Sequence, residues 1–199
     1  MNLTFPLFNI GPNASFIKYR LPYDMKEFFE IRFRFISHEL NQKSGLLMFM
    51  SETQAPAGSS GSGPSSRDFI SLVYEQKNLL LRLNLGQGEK SLKSTIESNV
   101  TEQMVLFGRF HQTFWLLVVP AHLGTSSTLA PQVGRMPLHH RYLNVDPYLY
   151  VGGHEDWKAH PSLAGLVGFK GEFPRTQENL GILPNYELTQ NSLSLRMHL

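Results

Sequence analysis

FFEIRFRFIS, residues 28–37, alternates between apolar and polar side chains along its length. One set consists of four large apolar residues, Phe29, Ile31, Phe33 and Phe35. The other set consists of three charged residues, Glu30, Arg32 and Arg34. Successive side chains of an extended chain point to opposite faces, so this alternation predicts a β-strand that buries one face and exposes the other.

Eight further segments are short, rich in Val, Leu, Phe and Tyr, and bounded by Gly, Pro, Asn or Gln-Lys-Asn turn signals. They are residues 15–20, 45–50, 69–74, 79–85, 105–110, 114–119, 148–151 and 166–170. No segment has a sustained apolar stripe at helical spacing with helix caps, which disfavours a parallel sheet wrapped in helices. The predicted fold class is therefore all-β, an antiparallel two-sheet β-sandwich of the jelly-roll, concanavalin-like type.

Composition limits the classes of protein to which the chain can belong. Its 199 residues suffice for one sandwich, and 41% hydrophobic residues are enough for a packed core. The net charge of +2, from 18 basic and 16 acidic residues, is too balanced for a dedicated nucleic-acid binder. No apolar run reaches the roughly 18 residues of a membrane span, and residues 1–11 lack the features of a signal peptide. The absence of cysteine excludes disulfides, thiolate metal sites and cysteine nucleophiles.

Two long segments interrupt the series of predicted strands. Residues 54–67 are a low-complexity run of Gly, Ser and Pro, which predicts a flexible surface loop. Residues 120–141 carry Gly, Ser, Thr and Pro together with the pair His139-His140. Both are longer than the connections that compact domains usually need, so they are candidates for function or for insertion.

Catalytic motifs are missing from the sequence. It has no Gly-x-Ser-x-Gly elbow, no phosphate-binding glycine-lysine loop and no dinucleotide fingerprint. No predicted strand places two acidic residues on one face at the short spacing that a glycosidase needs. Six histidines do not match the spacing of a zinc site, and we expect them to be scattered over the surface: His111, His122, His139, His140, His154 and His160. We therefore expect a protein that is not an enzyme.

Several short motifs occur in a fixed order along the chain. They are Ser-Phe-Ile at 15–17, SGLLM at 44–48, DFISL at 68–72, Asn-Leu-Gly at 84–86, YLYVGG at 148–153 and GFKG at 168–171. In this order and spacing, from about residue 14 to 171, the chain resembles the laminin G-like family, also called LNS domains. The family usually has a cysteine where Glu172 stands, and the residues after Gly171 do not match its closing strand.

The resemblance implies a domain plan. We expect an N-terminal extension over residues 1–13, a laminin G-like domain over residues 14–185 and a C-terminal tail over residues 186–199.

The resemblance also implies a Ca²⁺ site at one rim of the sandwich. The side-chain ligands would be Asp68 and Asn144, and the backbone carbonyl ligands would be those of Leu85 and Tyr142. One carboxylate and one amide predict weak, millimolar binding, and Asp146 would add a carboxylate if the loop shifts register. An alternative stays open, in which Asp68 caps a strand and Asn144 only turns the chain.

Two surface features bear on partners and compartment. If the first two strands are neighbours, four cations share one exposed face and could bind a sulfated glycan such as heparan sulfate: Lys18, Arg20, Arg32 and Arg34. The alternative is an ordinary solvated sheet face. Three Asn-x-Ser/Thr sequons are glycosylation candidates if the chain is secreted: Asn2, Asn13 and Asn99.

The sequence thus predicts a secreted or cell-surface binding module of the cell-adhesion or extracellular-matrix type. Its expected partner is an extracellular protein or a sulfated glycan, bound through the loop rim, with no nucleic acid and no membrane insertion. The alternative is a jelly-roll lectin that binds carbohydrate on its concave sheet face.

Overall fold

The computed structural model describes most of the sandwich. It covers residues 16–21, 25–39, 41–52, 67–86, 88–96, 102–126, 129–137, 142–174 and 180–183. Several predictions lie outside these residues: the three sequons, the His139-His140 pair, and the terminal segments 1–13 and 186–199. Most of the Gly/Ser/Pro run also lies outside them.

Thirteen strands occur in the described residues. They are β1 Ile17–Arg20, β2 Phe28–Ser37, β3 Gly45–Ser51, β4 Phe69–Glu75, β5 Asn78–Asn84, β6 Glu89–Thr95, β7 Glu102–Phe110, β8 Thr113–Pro120, β9 Gln132–Arg135, β10 Tyr148–Val151, β11 Val167–Gly168, β12 Gly171–Glu172 and β13 Leu180–Leu183. Two short 3₁₀ helices, Ala121–Ser126 and Pro161–Leu163, lie between strands. No helix in the described ranges is long and apolar enough to cross a bilayer.

The first sheet has the strand order β1-β10-β3-β4-β5-β6, and β11 pairs in parallel with β3. The second sheet has the order β12-β2-β7-β8-β9, and β13 also pairs with β2. All pairings except that of β11 are antiparallel. The all-β, two-sheet prediction is confirmed.

The core lies between the sheets and is built from the alternation seen in the sequence. Phe29, Ile31, Phe33 and Phe35 are all buried there, and Phe33 and Phe35 pack against further rings. On the first sheet the alternation is offset by a β-bulge between Leu46 and Met48. Because of that extra residue, Leu47 and Met48 both join the core.

A second, smaller apolar cluster covers the outer face of the first sheet. It consists of Leu46, Phe49, Phe69, Val73, Tyr150 and Leu163. Residues 152–166, here called the strap, run across this face and place Leu163, Trp157 and Leu166 against it. The strap therefore gives the domain a third layer over part of one sheet.

Four strands were not predicted from the sequence, namely β6, β9, β12 and β13. The segments of β6 and β9 are mostly exposed, so they have no apolar face that periodicity could detect. β9 lies inside the predicted loop 120–141, whose described residues include a 3₁₀ helix, Ala121–Ser126, as well as this edge strand, so the loop interpretation is corrected there. β13 pairs with β2 from Leu180↔Phe33 to Leu183↔Glu30, so the chain after Gly171 does add a strand to the second sheet.

The expectation that all the histidines lie on the surface is wrong for two of them. His154 and His160 belong to the strap and are only 6% and 3% exposed. Both rings pack on the aromatic side chain of Phe49. They are buried because the strap presses them onto an apolar sheet face, which no local pattern in the sequence reveals.

Candidate functional site

One rim of the sandwich collects the ends of strands from both sheets. Asp68 directly precedes β4, and β4 pairs with β5 in the register Phe69↔Asn84. Continued by one residue, this register sets Asp68 opposite Leu85. The turn after β5 is built on the Asn84 side chain, whose Oδ1 accepts hydrogen bonds from Gly86 N at 2.9 Å and Gly88 N at 3.2 Å. The strand pairing therefore brings the first two residues of the predicted site together.

The segment 142–147 crosses the same rim on its way to β10. Asn144 donates its backbone N–H to Asp68 Oδ2 at 2.8 Å, and its side chain also hydrogen-bonds to Asp68. The neighbouring Leu143 anchors the segment, since its side chain is buried and its N–H donates to Lys26 O at 2.9 Å. Asp68 and Asn144 are thus in direct contact, and Tyr142 lies two residues before Asn144 with its side chain exposed.

The electrostatics of Asp68 are unusual for a carboxylate near a rim. The residue is only 6% exposed, and burial raises its pKa to about 6. The backbone hydrogen bond from Asn144 and the positive charge of Arg109 oppose this shift in pKa, whereas the negative charge of Glu52 adds to it. Asp68 is therefore a largely desolvated carboxylate whose ionised form is only partly compensated.

Arg109 is the positively charged residue that lowers the pKa of Asp68. Its side chain is fully buried, because strand alternation places it on the inner face of β7, the same face as Phe107. Nη1 donates to Lys26 O at 2.6 Å. Burial lowers the Arg109 pKa to about 10, against the opposing charges of Asp68 and Glu27. Sequence analysis missed Arg109, although a charged residue at an inward position of an apolar strand was a visible signal.

The donors present fit a weak calcium site. Ca²⁺ takes oxygen ligands and accepts neutral amides and carbonyls beside carboxylates. Across the described parts of the chain, no group of three or more His, Asp or Glu side chains is arranged to hold a metal. Side-chain oxygens would come from Asp68 and Asn144, and a cation at Asp68 would supply the charge that its surroundings only partly provide.

Exposed aromatic side chains flank this rim. Phe110 at the β7–β8 turn is 49% exposed, and Tyr142 is 51% exposed. The segment before β2 links the two regions, because Glu27 O accepts from His111 N and Lys26 O accepts from Leu143 N, each at 2.9 Å. Nothing in the sequence singles out Phe110, because phenylalanine is most often buried in a core.

The expected cationic face is corrected. Lys18 and Arg20 lie on β1, which pairs with β10 in the first sheet, while Arg32 and Arg34 lie on β2 in the second sheet. The four side chains therefore point outward from opposite layers. Lys18 forms an ion pair with Glu155 at 2.7 Å, and Arg34 lies 3.7 Å from Glu102. Strands that are consecutive in sequence need not be neighbours in a sandwich.

The amino-acid sequence is similar to parts of two known proteins. No protein-family model matches the chain. The chain is 26% identical over 130 residues to the zebrafish (Danio rerio) protein eyes shut homolog, and 25% identical over 163 residues to protein eyes shut of Drosophila melanogaster. These alignments cover 65% and 78% of the chain, but only 4% and 7% of the two relatives. The chain thus spans less than a tenth of the curated relatives that it matches.

Solved structures of other proteins have folds similar to that of this chain. Mouse laminin α1 domains LG4-5 superpose with a TM-score of 0.57 and 15% identity, over 86% of this chain and 39% of that one. The chain has a laminin G-like fold. The CBM40 domain of Ruminococcus gnavus IT-sialidase, bound to α2,3-sialyllactose, resembles this laminin G-like fold with a TM-score of 0.52 and 11% identity, over 79% of this chain and 76% of that one.

Proposed function

We propose that this laminin G-like domain is an extracellular, non-catalytic binding module that engages a partner protein through the rim around Asp68. The observation that carries the proposal is the 2.8 Å hydrogen bond from Asn144 N to Asp68 Oδ2, which joins two loops at one edge. Loops held at the end of a rigid sandwich suit recognition, because the scaffold positions them. The likeness to mouse laminin and to the eyes shut proteins supports a place among extracellular modules.

Calcium would organise this rim. Asp68 and Asn144 would supply side-chain oxygens, and the carbonyls of Leu85 and Tyr142 would complete the protein ligands. The bound ion supplies positive charge beside a carboxylate that burial has largely removed from water. The residues themselves hold the segment 142–147 against the start of β4, so the ion would stiffen a contact that already exists.

The partner is proposed to be a protein because of the aromatic side chains at the rim. Tyr and Phe are enriched where proteins contact each other, since a ring buries a large area at low entropic cost. Phe110 and Tyr142 are both about half exposed. The residue after each of them donates a backbone hydrogen bond to the segment before β2, which places both aromatic residues at the rim that contains Asp68. A sulfated-glycan site has less support, since the expected cationic face is split between the two sheets.

The lectin alternative places the carbohydrate on the concave sheet face, where a cluster of exposed aromatic and polar residues would favour it. On the outer face of the second sheet, Trp115 is only 6% exposed, and Met104 and Val119 are buried as well. Among the described residues this face therefore supports a stacking glycan site less well than the rim supports a protein site. NMR titration with α2,3-sialyllactose would detect such a site, and perturbation of β7 and β8 resonances would favour the lectin over the rim proposal.

The decisive experiment follows thermal unfolding while calcium is titrated. With a dissociation constant near 1 mM, 10 mM calcium should stabilise the wild type by about 1.4 kcal/mol, or roughly 3–6 °C in Tm. Asp68→Asn should abolish that shift. Glu75→Gln, which removes an exposed carboxylate at the other end of β4, should retain it. An equal shift in both variants, or no shift in the wild type, would remove the calcium site.

A further inference from the structure

We propose that the strap is an acid-released cover: protonation of its two buried histidines lifts residues 152–166 from the outer face of the first sheet. This inference is independent of the proposed calcium rim, because it rests on a different layer of the domain. The strap lies over an apolar cluster whose members include Phe49, Phe69 and Tyr150.

The geometry places both imidazoles against aromatic rings. The His160 ring centroid lies 5.1 Å from that of Phe69 and 5.7 Å from that of Phe49. The His154 ring lies 4.0 Å from Tyr150 and 5.4 Å from Phe49. Each histidine is more than nine-tenths buried, so each resembles a core side chain while it is neutral.

The hydrogen bonds of His160 specify the neutral ring. Its Nδ1 accepts from Ser162 N at 3.1 Å and thereby caps the 3₁₀ helix Pro161–Leu163. The proton of the neutral ring is therefore on Nε2, which is buried and has no hydrogen-bond partner among the described residues. A second proton would go on Nδ1, which also lies 2.8 Å from Ser162 Oγ. The charged ring would donate to that hydroxyl, and the hydrogen bond from Ser162 N that caps the helix would be lost.

The surrounding charges also oppose protonation of His160. Arg67 before β4, Arg82 on β5 and His154 in the strap all act on it, and with burial as the main cause they lower its pKa to about 4. Arg82 is itself paired with Glu89 on β6 at 2.7 Å.

For His154, burial is again the main cause of a lowered pKa. The hydrogen bond of His154 Nδ1 with Asp156 O, at 2.7 Å, and the charges of Glu155 and Asp156 oppose that shift, whereas Lys18 on β1 adds to it.

Polar contacts at the surface hold the strap down. At one end Lys18 and the Tyr150 hydroxyl both donate to Glu155 Oε1, at 2.7 and 2.6 Å. At the other end Arg82 Nη1 donates to Ser162 O at 3.1 Å. Water can replace contacts of this kind, so the strap can open while the β-ladders beneath it stay paired.

Hydrogen–deuterium exchange on the intact protein tests the proposal. If the His160 pKa rises from about 4 to its ordinary 6.5 when the strap opens, opening should be about 30-fold more favourable at pH 5.0 than at pH 7.5. Strap amides, corrected for intrinsic rates, should show that increase and should be far less protected than amides of β7 at both pH values, because the β7 amides exchange only on global unfolding. Equal protection of the strap at both pH values would overturn the proposal.

Two variants distinguish the effect of protonating His160 from a general effect of low pH on the protein. His160→Asn keeps an acceptor for Ser162 N but cannot titrate, so most of the pH dependence should disappear. His122→Asn removes an exposed histidine outside the strap and should keep the full response. An NMR titration of the unmodified protein covers the case in which His160→Asn misfolds. A His160 pKa near 6.5 in the folded state would contradict the inference, whereas a value well below 6 supports it.

Discussion

Asn144 and Asp68, which lie 76 residues apart in sequence, are joined by a 2.8 Å hydrogen bond from the Asn144 backbone N–H to the Asp68 carboxylate. Because the donor is backbone, the bond survives any substitution of the Asn144 side chain except proline. The contact between the two loops can therefore be separated experimentally from the ligands proposed for calcium.

Asn144→Ala tests that separation. Loss of one side-chain ligand should weaken calcium binding roughly tenfold, which corresponds to about 1.4 kcal/mol. Stability without calcium should fall by only about 1 kcal/mol, since one side-chain hydrogen bond is lost. Urea unfolding with and without calcium measures both quantities. Asn78→Ala, which removes hydrogen bonds to the β4–β5 turn, should cost the same stability in both conditions.

Arg109→Met tests the buried cation behind the rim. The change deprives Lys26 O of a charged donor and leaves the Asp68 carboxylate without its main opposite charge. We expect a loss of about 2–4 kcal/mol in the free energy of unfolding at pH 7.5, measured by urea denaturation. The matched change Arg34→Met disrupts a long, partly exposed pair with Glu102 and should cost under about 1 kcal/mol. Similar losses in both variants would mean that burial of Arg109 has no special role.

Gly108→Ala tests the packing between β2 and β8. A Cβ at this position would lie 2.5 Å from Phe29 O and 2.6 Å from Trp115 Cζ2, so the backbone or the indole must move. We expect a loss of about 1–3 kcal/mol, detected as a lower Tm. Gly165→Ala meets no atom within 4 Å but has a φ of +78°, so it should cost only about 1 kcal/mol through backbone strain. The reverse order would contradict the packing seen around Trp115.

His160 should make the free energy of unfolding fall as the pH is lowered. Its pKa is about 4 in the folded protein and close to its ordinary value of 6.5 in the unfolded chain. The unfolded chain therefore binds more protons between these values, so the free energy of unfolding is highest above pH 6.5 and falls towards pH 4. At pH 5.0 the loss due to this residue should be about 2 kcal/mol.

Urea denaturation of the wild type and His160→Asn at pH 7.5 and 5.0 measures this contribution. The variant should lose less stability on acidification than the wild type by about that amount. His122→Asn serves as the control and should lose as much stability between pH 7.5 and pH 5.0 as the wild type does. Parallel curves for wild type and His160→Asn would show that His160 titrates normally in the folded state.

Local alternation accounts for the part of the fold that was predictable. FFEIRFRFIS became β2 over residues 28–37, because an apolar residue at every second position buries one face whatever its neighbours are. YLYV became β10 over residues 148–151 as a short apolar run ending at a glycine turn. β6 and β9 lacked this signal. Edge strands of this kind are held by backbone hydrogen bonds to an adjacent strand, and such bonds are nearly independent of side-chain type.

The contacts of the candidate site were predictable only through the family resemblance, which placed Asp68 and Asn144 at one rim. Their environment was not predictable: the buried Arg109, the exposed Phe110 and the strap over His160 all depend on how distant segments pack. The same cause separates Lys18 from Arg32, since β1 pairs with β10 and not with its neighbour in sequence.

By itself, the sequence determined that this chain forms two-faced strands and therefore layers, because side-chain alternation is a local property of an extended backbone. Only the tertiary structure decided which strands are neighbours, which loops meet at the rim and which histidines are removed from water. Those outcomes follow from long-range pairing and packing, whose free energy depends on the whole chain rather than on any one segment.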